Sequence, residues 1–236
     1  MMKFDAVVFD LDNTLYSYDK AHAAAFEAVH ELAARDLSLS RARFDELHDQ
    51  ASRILTKRCG GGPAIHNRLI RYQLMLEAAG LPFAAAPLLS ARYWEVFLQT
   101  LEPEPGMPDA LRSLKEMGLR VGVGTNMTAD LQFEKLRRLG VLPLLDFLVT
   151  SEELGVEKPD PRLFALCAEK AGTEPARCVF VGDSLEKDAI AAQTAGMCGV
   201  WYCPDPKKKA PDGIPVLRAL IDIPALLRSS EGRIPE

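Results

Sequence analysis

The amino-acid sequence predicts an α/β fold, a doubly wound parallel sheet with an inserted α-helical cap domain, and three observations carry that expectation. Ala6-Val7-Val8-Phe9 is a short unbroken apolar run, as a strand buried on both faces of a parallel sheet requires. From about residue 19 to 100 no such run recurs, and apolar residues return at helical spacing instead. Beyond a turn-rich segment at 102–108, short apolar runs alternate with helical patterns, the texture of right-handed parallel crossovers.

The elements follow in order. After the first strand, Phe26, Val29, Leu32 and Ala33 share one helical face, and Phe44, Leu47, Ala51, Ile54 and Leu55 share another. Ser40 is placed to cap the second of these helices. Gly60-Gly61-Gly62-Pro63 breaks the pattern, and helices follow near 66–79 and 87–100, with Trp94 and Phe97 on a packing stripe. Strands are expected at 121–124, 147–150, 179–181 and 200–202, with helices near 109–117, 129–139, 161–171 and 187–195. The domains are then a core of 1–16 plus 101–236 and a helical cap of 17–100. No element is readable after Pro204, and Lys207-Lys208-Lys209 reads as a solvated loop.

Bulk properties narrow the function. The 236 residues suffice for a core domain plus a smaller one, with 48% apolar and 26% charged residues as in ordinary globular chains. A net charge of -5 argues against nucleic acid or an anionic membrane as partner. The chain opens on no signal-peptide pattern, because the apolar run ends in Asp10, and no stretch approaches the roughly 20 apolar residues that span a bilayer. Five cysteines, an odd number without a CxxC pair, read as reduced and mostly buried thiols. The expected location is the cytoplasm, as a monomer or a homodimer.

Ligands of such a sheet bind outside the carboxyl ends of its strands. Strand one ends in Asp10-Leu11-Asp12-Asn13-Thr14, strand two in Thr125-Asn126 and strand four in Gly182-Asp183-Ser184, while Lys158 follows strand three. Any one of these acids could cap a helix; the set at successive strand ends argues for chemistry. Crowded carboxylates repel one another unless a cation sits among them, and a hard oxygen site suits Mg²⁺.

Together, Asp10-x-Asp12-x-Thr14, Gly124-Thr125-Asn126, Glu157-Lys158-Pro159-Asp160-Pro161 and Gly182-Asp183-Ser184 followed by Asp188 resemble the four motifs of the haloacid dehalogenase superfamily, in family order. The resemblance covers roughly 4–202, and the helical insertion looks like that family's C1-type cap. It implies a phosphatase that hydrolyses a small phosphate monoester through an aspartyl-phosphate on Asp10, with Asp12 as general acid and base. It further implies Mg²⁺ held by the carboxylates of Asp10 and Asp183 and the carbonyl of Asp12, with Asp188 supporting from behind or through water. Thr125 and the amide of Asn126 would bind the phosphoryl oxygens, and Lys158 would neutralise charge between nucleophile and phosphate. Thr14 would brace the turn by local hydrogen bonding.

The acid at Asp12 favours phosphatase over dehalogenase, because a halide leaves without a proton. Phosphoryl transfer to a second substrate, a phospho-accepting receiver and a ligand-binding pseudoenzyme are the other readings. The cap would close over a small phosphorylated metabolite, with Tyr16, Tyr18, Lys57, Arg58, His66, Asn67 and Arg68 as candidate contacts. Among these, Tyr16 and Arg68 are expected to bind substrate.

Overall fold

The computed structural model describes residues 4–60, 62–209 and 211–229. Gly61 of the predicted Gly60–Gly62 break and the opening Met1–Lys3 lie outside them. The chain divides into two compact units, 1–17 with 102–236 and 18–101.

Strand β1 (Ala6–Phe9) is wholly buried. The helical unit follows, with α1 (Tyr18–Leu37), α2 (Arg41–Cys59), α3 (Arg68–Ala78) and α4 (Ala86–Gln99). In α2 the Ser40 side chain accepts from Arg43 N, and Gly60 closes the helix at φ 63°, a left-handed conformation that costs glycine nothing. A single 3₁₀ turn, Pro63–His66, precedes α3, so that helix starts later than its apolar pattern suggests. Asn67, expected as a cap contact, is the N-cap of α3: its Oδ1 accepts from Ile70 N at 3.1 Å. Phe44, Leu47, Ala51, Tyr72, Met75, Tyr93 and Phe97 are fully buried here, each apolar side chain contributing on the order of 1.5–3 kcal/mol. Lys57 and Arg58 are exposed at the end of α2.

The sheet-containing unit resumes with α5 (Met107–Glu116), β2 (Arg120–Thr125), α6 (Ala129–Arg138), β3 (Phe147–Thr150), α7 (Ser151–Leu154) and α8 (Pro161–Ala171). It continues through β4 (Cys178–Gly182), α9 (Ala191–Thr194), β5 (Cys198–Tyr202), β6 (Val216–Leu217) and α10 (Ile223–Ser229). The strands form one parallel sheet in the order β3-β2-β1-β4-β5-β6, flanked by helices. Ala6, Val8 and Phe180 pack with Leu163, Phe164 and Cys167 of α8 on one face. By strand alternation Val7 and Phe9 point to the other.

Helices α7 and α10 were not expected from the sequence, and two further departures have a local cause. The helix predicted over 187–195 begins as a π turn, Leu185–Ile190, before α9, because the amides of Asp188 and Ala189 both reach Ser184 O. The two-residue β6 escaped notice because it sits beyond a Pro- and Lys-rich stretch and is too short for a periodic signal. None of the five cysteines is in a disulfide, three of them are buried, and Lys207–Lys209 are exposed.

Candidate active site

Sheet register assembles the site. Phe9 pairs with Val123 on one side and Val181 on the other, so β1, β2 and β4 release their chains at one rim. The amide of Asp10 extends the ladder by donating to Val181 O at 2.8 Å. The turn that follows puts Asn13 at φ 61°, a left-handed conformation that asparagine tolerates better than most residues. Thr14 is fully buried, and its Oγ1 accepts from the amide of Asp183 at 3.1 Å. The expected local brace is therefore a long-range one, tying the first loop to the fourth.

Asp10, Asp183 and Asp188 each offer a carboxylate oxygen within 4.8 Å of the others. Lys158 stands among them, its Nζ donating to Asp10 Oδ1 at 2.6 Å and to Asp188 Oδ1 at 2.6 Å. Burial, with the nearby charges of Asp188, Asp12 and Asp183, pushes the Asp10 carboxyl up to about 7 despite Lys158. Burial and Asp188 likewise raise Asp183 to about 6. Burial works against the Lys158 ammonium, but Asp10 and Asp188 outweigh it and hold the lysine charged. Three carboxylates thus face one ammonium, and the acids are raised by burial first and by their mutual repulsion second. A hard divalent cation such as Mg²⁺ fits this donor set by charge and by ligand type.

Asp188 reaches the cluster by the π turn. Its Oδ2 accepts from Ser184 N at 3.0 Å, and its carboxyl lies so close to Gly182 that a Cβ there would approach it to 2.3 Å. Gly199 plays a matching part beneath the turn, where a Cβ would meet Ala189 O at 1.9 Å.

The Asp12 side chain belongs to a neighbouring group. Its Oδ1 accepts from Lys135 Nζ at 2.7 Å and from the Tyr16 hydroxyl. Tyr16, expected to bind substrate, is a fully buried member of the sheet-containing unit, bridged to Asp12 and Pro103. Thr125 Oγ1 accepts from Gln132 Nε2 at 2.7 Å, and the same amide nitrogen donates to Asn126 O at 2.8 Å. Asn126 Oδ1 accepts from Lys158 N at 2.9 Å, linking the second and third loops. Arg68 lies in the helical unit, buried, its guanidinium donating to the Tyr18 hydroxyl at 2.7 Å.

Sequence reading missed Lys135, Gln132 and Trp201, whose Nε1 donates to Asp183 O at 2.8 Å. A signal existed for two of them. Gln132, Lys135, Leu136 and Leu139 follow the i, i+3, i+4, i+7 pattern, so two polar side chains lie on the inward stripe of α6.

Comparison with known proteins points to one family. A family model described as haloacid dehalogenase-like hydrolase matches residues 4–196. A ribulose-1,5-bisphosphate 5-phosphatase of Halopiger xanaduensis is 34% identical over 211 residues, covering 87% of each chain. A glyceraldehyde 3-phosphate phosphatase of Methanopyrus kandleri is 34% identical over 196 residues, covering 83% of this chain and 82% of its own. Among solved structures, a 2-haloacid dehalogenase from Pseudomonas syringae pv. Tomato superposes with a TM-score of 0.77 at 28% identity, covering 96% of this chain and 99% of the other.

Proposed function

The chain belongs to the haloacid dehalogenase-like hydrolase family and is a hydrolase of phosphoric monoesters, and on that premise we propose that it cleaves a small phosphorylated sugar through attack by Asp10. The observation that carries this reading is Lys158, clamped between Asp10 and Asp188 at the sheet rim, with Asp12 close by on its own lysine.

In this mechanism a carboxylate oxygen of Asp10 forms the new bond to phosphorus while the bond to the ester oxygen breaks. Asp12 gives its proton to the departing alkoxide, then takes one from the water that attacks the aspartyl-phosphate. Inorganic phosphate leaves and Asp10 is regenerated. Lys158 offsets the negative charge where nucleophile and phosphate meet. Thr125 and the amide of Asn126 hold the phosphoryl oxygens, with Gln132 fixing the rotamer of Thr125. Lys135 and Tyr16 orient Asp12 and keep it apart from the three-acid cluster. Asp10, Asp183 and the Asp12 carbonyl, with Asp188 in support, would hold Mg²⁺, and the bound ion would supply positive charge to keep Asp10 ionised and attract the phosphate.

The structural likeness to a 2-haloacid dehalogenase makes that reaction the competing reading. Asp12 argues against it, since a buried-lysine partner for a proton-transfer acid has no use when the leaving group is a halide. We further infer a cytoplasmic setting, supported by five cysteines outside any disulfide and the net charge of -5. Among the described residues no helix is long and apolar enough to cross a membrane.

The test is phosphate release from an aryl phosphate and from a panel of sugar phosphates, with halide release from 2-chloropropionate run beside it. Asp10→Asn should lower phosphate release by more than about 10⁴-fold with the melting temperature retained. Turnover that survives in that variant, or in excess chelator, rejects the mechanism.

A further inference from the structure

Asp183 is held differently from the other two acids of its cluster. Lys158 grips the carboxylates of Asp10 and Asp188 directly, at 2.6 Å each. Asp183 is half-buried where those two are buried, and among the described residues no side chain donates to its carboxylate. Its aim is therefore set by its own backbone. Both polar atoms of that backbone are tied by side chains. The amide of Asp183 donates to Thr14 Oγ1 at 3.1 Å, and its carbonyl accepts from Trp201 Nε1 at 2.8 Å. The two ties come from opposite sides, because β4 lies between β1, which leads to Thr14, and β5, which carries Trp201.

Sheet register explains why a tryptophan can make this contact. Trp201 pairs with Gly182, the last residue of β4, so it stands beside the point where the chain leaves the strand. The indole is large and carries one donor at its edge, which suits it to reach a carbonyl just past the end of the ladder. It is 8% exposed, and a buried indole N–H needs an acceptor. Here that acceptor belongs to Asp183. The ring also packs in one cluster with Ala189, the residue after Asp188 in the π turn. One side chain thus bears on the loop of Asp183 and on the turn that returns Asp188.

We propose that Trp201 is a positioning residue for the metal site. Its indole N–H fixes the Asp183 peptide, with Thr14 on the other side, in the orientation that aims the carboxylate at the ion. Mg²⁺ demands near-ideal octahedral geometry, so the partners that orient its ligands matter nearly as much as the ligands themselves. This role rests on the reading of Asp183 as a magnesium ligand and is independent of which ester is cleaved.

The test is calorimetric titration of the full chain with magnesium chloride alone, which needs no turnover. Trp201→Phe keeps an aromatic ring and removes the donor; it should raise the magnesium dissociation constant by about 10-fold or more. Thr14→Val keeps the branched shape and removes the acceptor, and it should weaken binding similarly. Thr14→Ser retains the hydroxyl and should bind close to wild type. Melting temperatures in chelator are recorded alongside, because a side chain that only packs would lower them and leave the dissociation constant of the folded protein unchanged. An unchanged dissociation constant in folded Trp201→Phe overturns the positioning role and leaves the metal reading standing. Where Trp201→Phe does not fold, an unchanged constant in Thr14→Val does the same, as does Thr14→Ser binding as weakly as Thr14→Val. No magnesium binding by the wild type overturns both readings. Weakened binding in the variants, with no phosphate released from any ester by the wild type, overturns the phosphatase reading alone.

Discussion

Two buried cations organise this molecule in opposite ways. Lys158 at the sheet rim is surrounded by acid, with two carboxylates at 2.6 Å and a third nearby. Arg68 in the helical unit has only hydroxyls and an aromatic ring for company. Both side chains are almost wholly buried, so the difference lies in what surrounds them. The rim carries excess negative charge and suits a cation; around Arg68 the buried charge is positive and the polar neighbours are neutral. At the rim, buried charge of one sign thus marks where a ligand of the other sign is wanted.

The largest expected effect comes from removing the rim's own cation. Lys158→Met leaves Asp10 and Asp188 buried without their shared cation and should cost about 3–5 kcal/mol of stability, as well as most of the activity. Chemical denaturation measures the first, and magnesium should recover part of it. A stability loss below about 1 kcal/mol would mean the rim is not the charge-dense site described above. A smaller effect is expected from Lys135→Met. Because Asp12 is more open than Asp10, stability should change little, while kcat falls by roughly 10²-fold, the usual worth of one proton transfer. Steady-state kinetics on an aryl phosphate decides this, and a change confined to KM would count against an orienting role.

The smallest effect is a pair of opposed pH slopes. His22 and His48, at about 4 and about 3 in the fold against 6.5 in the unfolded chain, bind protons more readily when unfolded. The helical unit should therefore be fully stable above about pH 6.5 and lose stability as pH falls from there. Asp10 and Asp183 run the other way: raised from 3.8 to about 7 and about 6, they favour the fold at low pH and lose that contribution as pH rises through those values. Without metal the sheet unit should weaken over the range in which the helical unit strengthens, and magnesium should flatten the first slope alone. Protection factors from hydrogen exchange, read separately for α3 and β1, measure both. Parallel slopes in the two units would erase the contrast.

Much of this was legible in the sequence, and what was not has a common cause. The strand runs stand out because a sheet buried on both faces leaves no polar position in them, as in Ala6–Phe9. Asp10, Lys158 and Asp183 stand out because each follows such a run. Lys135, Gln132 and Tyr16 act through partners far away in sequence, and a lysine in mid-helix looks the same on paper whether it meets water or Asp12. The π turn was also hidden, since its width serves the return of Asp188 to Lys158 rather than any local preference.

Gly182 and Gly199 have one more implication. A side chain at either would have to occupy space already held by the Asp188 carboxyl or the Ala189 carbonyl. In a saturation library both positions should therefore tolerate as few replacements as the nucleophile, although neither has a functional group to lose. Intolerance in such a scan reports room as readily as reactivity. Anyone grafting this constellation onto another scaffold must carry over those two bare stretches of backbone along with the acids.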